Sequence, residues 1–262
     1  MKNKKIKPLA IIPIVGIPAI KPGDDLSNII RKAIQDQGES LLQGDIIVIT
    51  QKIVSKAENR YKNSSQVKPS IKAKTLSLAT KKTPELIELI LQESNQILRI
   101  NKRTIIVEHK LGFICANAGI DRSNIGNQTQ LNRGEWYLLL PKDPDKSASE
   151  LRISFEKFFS ANLGVMIIDS HGRAWRYGTV GIAIGVSGFP ALVDLRGQPD
   201  LNGRKLKITR IGAADELAGA ASLVMGQAAE NIPVVIARGF PYPLREASLQ
   251  EILRPEERDL FR

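Results

Sequence analysis

The chain has 262 residues, of which 42% are hydrophobic, 25% charged and 5% aromatic, and its formal net charge is +11. This composition predicts a globular protein, and no apolar run approaches the ~20 residues that a membrane-spanning helix needs. The positive charge favours anionic partners, either nucleic acid or phosphorylated small molecules, although solubility alone explains it equally well. Cys115 is the single cysteine, which excludes an intramolecular disulfide and predicts a buried, inert thiol in a cytoplasmic protein.

The first half of the chain begins with a basic segment that Pro13, Gly16 and Pro18 follow, so we do not expect a signal peptide. Asp24 or Asp25 is placed to cap the first helix, because a carboxylate accepts hydrogen bonds from the free N–H groups of a first turn. Residues 62–72 are polar and predict an exposed loop. The other elements predicted up to residue 116 are strands at 9–15, 46–49, 97–100, 104–109 and 111–116, and helices at about 26–37, 70–82 and 84–95.

The second half predicts an apolar strand at 164–168 that ends directly at Asp169. Strands and helices do not alternate regularly enough for a doubly wound sheet, so the fold class is α+β. We predict a single domain over residues 1–262, with a possible subdomain change near 141–147. The remaining predicted elements are strands at 135–140, 179–186, 205–210 and 232–237, and helices at 145–161 and 213–226.

Several common catalytic motifs are absent from the sequence. It contains neither the phosphate-binding pattern G-x-x-x-x-G-K-[ST] nor the dinucleotide pattern G-x-G-x-x-G, and the zinc patterns C-x-x-C and H-E-x-x-H are missing. The glycines at 181, 185 and 188 lie within a predicted strand and its exit, where close packing or a bulge explains them better than a phosphate site. Carboxylates, lysines and arginines must therefore carry any chemistry.

The first polar segment, residues 50–58, follows the strand at 46–49 directly. Lys52 and Lys56 are four residues apart, so one helical turn would bring both ammonium groups to the same side. Two like charges repel unless an anion such as a nucleotide phosphate lies between them. A solvated helix start remains the alternative at this point.

The second polar segment, residues 115–124, combines small residues with Asp121 and Asn124. Small residues let the backbone approach a ligand closely, and carboxylate and amide oxygens suit a magnesium–nucleotide site. A simple turn held by the Asx side chains is at least as good an explanation from spacing alone.

The third polar segment, residues 165–178, places Asp169 and Ser170 after an apolar strand, a common arrangement for holding a hard cation. Arg173 and Arg176 are three residues apart and could bind phosphate or carboxylate. His171 could act as a base, but a loop residue next to a site is the preferred interpretation. Trp175 is interpreted as a packing residue rather than a base-stacking one.

Taken in order, these segments resemble the coenzyme F420-0:L-glutamate ligase family over nearly the whole chain. The match consists of short motifs spread over more than 200 residues, none of which would be specific alone. The main stretches are Gly16-Ile-Pro-Ala-Ile-Lys-Pro-Gly-Asp-Asp-Leu26, Thr50-Gln-Lys-Ile-Val-Ser-Lys-Ala-Glu58, Ala116-Asn-Ala-Gly-Ile-Asp-Arg-Ser-Asn124 and Asp169-Ser-His-Gly-Arg-Ala-Trp-Arg176, followed by residues 194–197, 200–203, 214–218, 225–226 and 232–239.

The resemblance implies an α+β fold of two intertwined subdomains, a homodimer, and GTP hydrolysis that drives amide formation with L-glutamate. It also implies Mg²⁺ or Mn²⁺, often with K⁺. Carried over by motif, the metal ligands would be Asp121, Asp169, Ser170 and Gln227. The GTP site would be lined by Ile17, Pro18, Ala19, Ile20, Gln51, Lys52, Lys56, Asn124, Met225, Gly226, Gln227, Ala228, Ala229, Glu230, Asn231 and Ile232.

The chain departs from the family pattern at two places. Gln227 stands where the family has a metal-binding glutamate, and a neutral amide coordinates a cation more weakly than a carboxylate. The stretch Gln227-Ala-Ala-Glu-Asn231 replaces a segment that is usually glycine-rich. The second metal and the nucleotide fit are the parts of the implied site that these changes affect.

The mechanism implied is activation of a substrate carboxylate as an acyl phosphate, which the amine of L-glutamate then attacks. Asp121 and Asp169 are expected to converge on one divalent metal, with Lys56 acting on the transferred phosphoryl group and Arg173 and Arg176 binding the acidic substrate. The acceptor would be the phosphorylated deazaflavin F420-0, or a folate-like acceptor on the same scaffold. A basic nucleic-acid-binding protein is the remote alternative, which the low aromatic content disfavours.

Overall fold

The computed structural model describes residues 8–122 and 134–260, and the elements follow in chain order. The helices are α1 (Leu26–Asp36), α2 (Gln51–Ala57), α3 (Ile71–Thr80), α4 (Pro84–Gln92), α5 (Pro144–Phe159) and α6 (Ala213–Met225). The strands are β1 (Ala10–Ile14), β2 (Ile46–Thr50), β3 (Tyr61–Asn63), β4 (Ser94–Ile100), β5 (Ile105–His109), β6 (Ile114–Ala116), β7 (Trp136–Leu138), β8 (Gly164–Arg173), β9 (Arg176–Ser187), β10 (Val193–Asp194), β11 (Arg210–Ile211) and β12 (Val234–Arg238).

Five strands form the central sheet, in the order β1-β12-β2-β8-β9. The pair β2–β8 is parallel, whereas the pairs β1–β12, β12–β2 and β8–β9 are antiparallel. A mixed sheet with helices on its faces confirms the predicted α+β class. The smaller sheets are β4-β5-β6, β3-β7 and β10-β11.

The central sheet is buried on both faces, which explains the unbroken apolar run of β2. Ile47 and Ile49 point into a core that includes Ile30 of α1 and Phe155 of α5. Ile46 and Val48 alternate with them and point to the opposite face, where α6 packs. Each fully buried side chain of this kind stabilises the fold by about 1.5–3 kcal/mol.

Helix α1 begins where the sequence predicts. The Asp25 carboxylate accepts a hydrogen bond from the Asn28 backbone N–H at 3.0 Å, which satisfies one of the free donors of the first turn. Leu26, Ile30 and Ala33 form the buried stripe, as expected from their spacing.

The glycines of β9 serve close packing, as predicted. A Cβ atom on Gly181 would collide with the Ala218 carbonyl oxygen of α6, and one on Gly185 would lie 2.5 Å from the Pro144 backbone. Helices on both faces therefore approach the strand more closely than a side chain would permit.

Three predictions of secondary structure were wrong. Lys62 and Asn63, at the start of the predicted loop at 62–72, belong to β3 and pair with β7, because the polar side chains of a short two-stranded sheet hide its periodicity. Only Arg210 of the predicted strand at 205–210 lies in a strand, β11, since no residue of 205–210 is buried on either face. Strand β8 does not end at Asp169 but continues to Arg173 as one arm of a hairpin with β9.

Other predictions concern the chain as a whole. Cys115 is buried, and its burial raises the pKa of the thiol to about 12, in line with an inert cysteine. Among the described residues, no helix combines the length and the apolar character required to cross a membrane. The predicted subdomain change near 141–147 coincides with the start of α5 at Pro144 and stays a prediction.

Candidate functional site

A cavity of about 890 Å³ opens at the carboxyl end of β2, beside residues 168–170 in the middle of β8. Because these strands are parallel and Thr50 lies opposite Ile168, the residues that follow them come to the same edge of the sheet. The wall is built from segments distant in sequence, namely residues 18–20, 50–53, 56, 122, 134–136, 168–170, 222 and 225–233.

Helix α2 supplies two lysines to the cavity. The strand passes directly into the helix at Gln51, so Lys52 and Lys56 lie one turn apart on the side that faces the cavity. Lys52 Nζ lies 2.8 Å from Asp121 Oδ2. Burial lowers the pKa of the Lys56 ammonium, the nearby Lys52 charge lowers it further, and Asp121 opposes both. An anion in the cavity would relieve this repulsion.

Strand β8 carries a carboxylate and a hydroxyl past the end of the core. Ser170 Oγ donates a hydrogen bond to Gln227 Oε1 at 2.8 Å, which joins β8 to the loop after α6. Asp169 Oδ2 lies 3.0 Å from His171 Nε2. Successive strand residues point to opposite faces, so Asp169 and His171 share one face and Ser170 lies on the other.

His171 is a strand residue rather than the predicted loop residue. Its side chain is only 8% exposed and packs against Phe113, whose ring stacks on His109. The prediction was wrong because β8 extends four residues beyond Asp169. The contact with Asp169 indicates that the imidazole orients that carboxylate.

The loop after α6 closes on its own glutamate. Glu230 Oε2 accepts a hydrogen bond from the Ala228 backbone N–H at 2.8 Å, which lowers the pKa of the carboxyl group. Gly226 has a φ of 75°, and a Cβ at this position would collide with the Glu230 side chain. A single glycine and a carboxylate therefore shape a turn for which the sequence offers no glycine-rich run.

The sequence model of the F420-0:Gamma-glutamyl ligase family matches residues 15–239, which is most of the chain. The chain belongs to the F420-0:γ-glutamyl ligase family. It is 44% identical over 256 residues to the coenzyme F420:L-glutamate ligase of Methanothermobacter thermautotrophicus, covering 97% of this chain and 99% of that protein. The enzymes of the same name from Methanocaldococcus jannaschii and Methanopyrus kandleri are each 42% identical, over 98% and 97% of this chain and 99% and 98% of theirs.

Most residues that the ligase resemblance assigns to a site lie together in the structure. The cavity wall contains Pro18, Ala19, Ile20, Gln51, Lys52, Lys56, Asp169, Ser170, Met225, Gly226, Gln227, Ala228, Ala229, Glu230, Asn231 and Ile232. Their roles in binding nucleotide or metal stay predictions.

Other assigned residues lie away from the wall of the cavity. Ile17 is 3% exposed and belongs to the hydrophobic core. Asp121 is not part of the wall but reaches it through its ion pair with Lys52. Asn124 falls outside the described residues.

The hairpin of β8 and β9 holds the two arginines predicted to bind acidic substrate. Arg173 and Arg176 pair across its tip, both are exposed, and neither lines the cavity. Trp175 between them is 88% exposed and has a φ of 65°, so its interpretation as a packing residue was wrong for the chain as described. The tip is a turn that lies beyond the core, where no side chain of the described residues covers it.

The donor atoms of the cavity suit a hard cation. Asp169 offers a carboxylate, and Ser170 and Gln227 hold a hydroxyl and an amide oxygen within hydrogen-bonding distance of each other. Oxygen donors of this kind fit Mg²⁺ or Mn²⁺. Within residues 8–122 and 134–260, no group of three or more His, Cys, Asp or Glu side chains is arranged to hold a metal. Such a cation would therefore depend on few protein ligands, which is usual for magnesium bound together with phosphates.

The wall residues that sequence reasoning did not assign include Arg122, Glu135 and Trp136. Arg122 directly follows Asp121 and was part of a matched motif, so its position beside a predicted ligand was an available signal. Glu135 precedes the short strand β7 and Trp136 begins it, and neither residue carries such a signal. They reach the cavity only because β7 pairs with β3 and Leu138 bridges to Asp121.

Proposed function

We propose that this chain joins L-glutamate to the carboxylate of coenzyme F420-0 through a γ-glutamyl-type amide bond, with hydrolysis of GTP to GDP and phosphate. The observation that carries the proposal is the cavity in which Lys52 and Lys56 share one wall with Asp169, Ser170 and Gln227. Paired ammonium groups suit the phosphates of a nucleotide, and oxygen donors suit the accompanying cation. The names of the related ligases support the choice of acceptor and amino acid.

The reaction requires an activated acyl group. An amine cannot attack a carboxylate directly, because the carboxylate has no oxygen that can depart as a leaving group. A carboxylate oxygen of the acceptor attacks the γ-phosphorus of GTP, the bond to the β–γ bridging oxygen breaks, and an acyl phosphate and GDP result. The glutamate nitrogen then attacks the acyl carbon, phosphate leaves, and the nitrogen loses its protons to solvent. Lys56 would stabilise charge on the transferred phosphoryl group.

Asp169, Ser170 and Gln227, with Asp121 behind Lys52, would hold Mg²⁺ or Mn²⁺. Such a cation neutralises phosphate charge when it is bound. The amide of Gln227 coordinates more weakly than a carboxylate, so we expect the cation that it contacts to bind less tightly than the other. K⁺ would be an additional monovalent ion. His171 keeps Asp169 oriented toward the cavity.

We also propose that the enzyme is a cytoplasmic homodimer. Four large apolar side chains are almost fully exposed on two projecting segments, namely Trp175, Tyr177, Leu201 and Ile208. Large exposed apolar residues of this kind are typical of surfaces that a second chain covers. Light scattering on the eluting peak of a sizing column should give twice the mass of 28.9 kDa.

The decisive experiment measures phosphate release by the purified protein. With GTP, Mg²⁺ or Mn²⁺, K⁺, L-glutamate and F420-0, phosphate should appear in step with the glutamylated product. Omission of either F420-0 or L-glutamate should reduce release to background, because an acyl phosphate exposed to water would waste nucleotide. ATP is run in parallel because the loop from Gln227 to Asn231 departs from the family pattern.

The outcomes separate the parts of the proposal. Product with ATP but not with GTP would contradict the nucleotide and keep the reaction. Elongation of a folate substrate but not of F420-0 would contradict the acceptor and keep the ligase scaffold. Absence of amide product with both acceptors, both nucleotides and both metals would contradict the ligase proposal itself.

A further inference from the structure

One ion pair on the cavity wall has no role in the proposed phosphoryl transfer. Arg122 Nη2 lies 2.6 Å from Glu135 Oε1, and both residues line the cavity. The Tyr137 hydroxyl donates a hydrogen bond to the other carboxylate oxygen, Glu135 Oε2, at 2.6 Å. The side chains of Arg122 and Glu135 are 58% and 46% exposed, so a ligand in the cavity can reach both.

Glu135 differs from the other acids of the described wall in having an arginine as its ion-pair partner. Asp169 contacts His171, and Glu230 accepts the Ala228 N–H of its own loop. Glu135 is the remaining carboxylate of that wall, and Tyr137 fixes its orientation. It is therefore the carboxylate best placed to receive a cationic group of a substrate.

Arg122 is the cationic side chain of the described wall that is best suited to bind a carboxylate. It is the only arginine of the wall as far as the structure describes it, because Arg173 and Arg176 lie on the hairpin tip. Its guanidinium lies 5.9 Å from the centre of the Tyr137 ring, which supports the planar group from below. A guanidinium binds a carboxylate through two parallel hydrogen bonds, which an ammonium cannot do.

We infer that Arg122 and Glu135 form the subsite for the amino acid, in which Arg122 binds the α-carboxylate and Glu135 binds the amino group. An α-amino acid carries these two opposite charges on one carbon, so it can bridge the two side chains in place of their direct contact. The subsite lies beside Lys52, whose partner Asp121 precedes Arg122 in the chain. It brings the amine to the cavity in which the acyl group would be activated. This inference rests on the proposed function for the identity of the amino acid.

The test measures binding of three small molecules to the full chain by titration calorimetry. L-Glutamate carries the amine and both carboxylates, glutarate lacks the amine, and 4-aminobutyrate lacks the α-carboxylate. The variants are Glu135→Gln, which removes the charge at nearly unchanged size, and Arg122→Gln, which replaces the guanidinium with a shorter, neutral and polar side chain. Arg196→Gln is the matched control, because Arg196 forms an exposed ion pair with Asp194 that does not line the cavity.

We expect a crossed pattern. Glu135→Gln should weaken L-glutamate and 4-aminobutyrate about tenfold or more and leave glutarate unchanged or tighter. Arg122→Gln should weaken L-glutamate and glutarate by a similar factor and leave 4-aminobutyrate within about twofold. Arg196→Gln should match the unmodified chain, and all three variants should bind GTP with unchanged affinity.

Three results would overturn the subsite. One is equal weakening of all three ligands by either cavity variant, which would indicate a general change of structure or potential. The others are no binding of L-glutamate to the unmodified chain and unchanged binding in both variants. Crossed binding in a chain that forms no amide product would keep the subsite and refute the proposed function.

Discussion

Lys56 is the cavity residue whose charge a bound anion would stabilise most clearly. Its ammonium is half-buried, and both burial and the charge of Lys52 lower its pKa, while Asp121 acts in the opposite direction. A positive charge in this position is unfavourable in the free protein. A nucleotide phosphate between the two lysines would reverse the sign of the local interaction and raise the pKa of Lys56 again.

We predict that Lys56→Ala impairs the reaction without harming the fold. The KM for GTP should rise about tenfold, or kcat should fall by a similar factor, because a charge-assisted contact to phosphate is lost. The midpoint of urea unfolding should stay unchanged or rise, since a repulsion with Lys52 is removed. Lys72→Ala on exposed α3 serves as the control. Unchanged kinetics in Lys56→Ala would instead support a merely solvated helix start.

At the scale of single residues, sequence spacing predicted the side-chain positions that depend on one element alone. Lys52 and Lys56 could be placed on one side of a helix because the strand before them is unmistakably apolar and the helix starts at once. Arg122 and Glu135 could not be paired in advance, because their contact depends on a bridge between Asp121 and Leu138 rather than on any repeat. His171 was misplaced for the same reason, since its burial depends on Phe113 from the distant turn between β5 and β6.

At the scale of elements, the packing of α6 against β9 depends on an absent side chain. The Gly181 backbone N–H donates to Ser222 Oγ at 3.2 Å, and a Cβ at this position would collide with the Ala218 carbonyl oxygen. Because that oxygen belongs to the helix backbone, it cannot move without shifting the whole helix. Ser222 also lines the cavity, so this contact connects packing with the site.

We predict opposite effects for two glycine substitutions at this interface. Gly181→Ala should lower the free energy of unfolding by about 1–3 kcal/mol, as overpacking does in a tight core. Gly219→Ala, within α6 itself, should raise it by about 0.5–1 kcal/mol, because a Cβ there meets no atom within 4 Å and alanine favours the helix. Urea unfolding of both variants measures the difference. Equal effects of the two substitutions would contradict the packing argument.

The elements that could be predicted are those with one strongly apolar face or a clear cap. α1, α4 and α6 belong to this group, and so does β2 with its unbroken apolar run. The outer part of β8 and the short strand β3 could not be predicted, since their residues are exposed or polar and gain their pairing from a distant partner. The alternation of apolar and polar residues at 205–210 led to a wrong strand prediction, because neither face of that segment is buried.

At the scale of the whole molecule, the cavity joins segments that lie more than 200 positions apart, from Pro18 to Pro233. No periodicity connects such segments, and only the order of the sheet strands brings them together. The likeness to a known family could indicate them in advance because the motifs keep the same order along the chain. A shared motif does not show which of its residues line the cavity. Arg173 and Arg176 belong to a matched motif but lie on the hairpin tip, away from the cavity.

Buried ionisable groups also make the stability of the whole molecule depend on pH. His109 is 2% exposed, and burial, with further contributions from Arg60, His171 and Lys110, lowers its pKa from 6.5 to about 4. Glu93 lies 3.9 Å away and acts in the opposite direction, but burial dominates. Between pH 6.5 and about 4 the unfolded chain therefore binds a proton at this site that the folded chain does not bind.

The stability of the protein should accordingly fall as the pH drops from 6.5 towards 4, and His109 should account for about 3 kcal/mol of the loss. Burial raises the pKa of Asp145 and Asp215, whose protonation has the opposite effect on stability, so only a comparison with a variant isolates the histidine. His109→Asn is suitable because His109 Nδ1 accepts the Leu111 N–H at 3.0 Å, and an asparagine oxygen can accept the same hydrogen bond two residues along the chain. Urea unfolding at a fixed protein concentration, from pH 4.5 to 7.5, should give a gap between the two proteins that narrows as the pH falls. Parallel curves over that range would show that the imidazole of His109 takes up its proton equally in the folded and the unfolded chain.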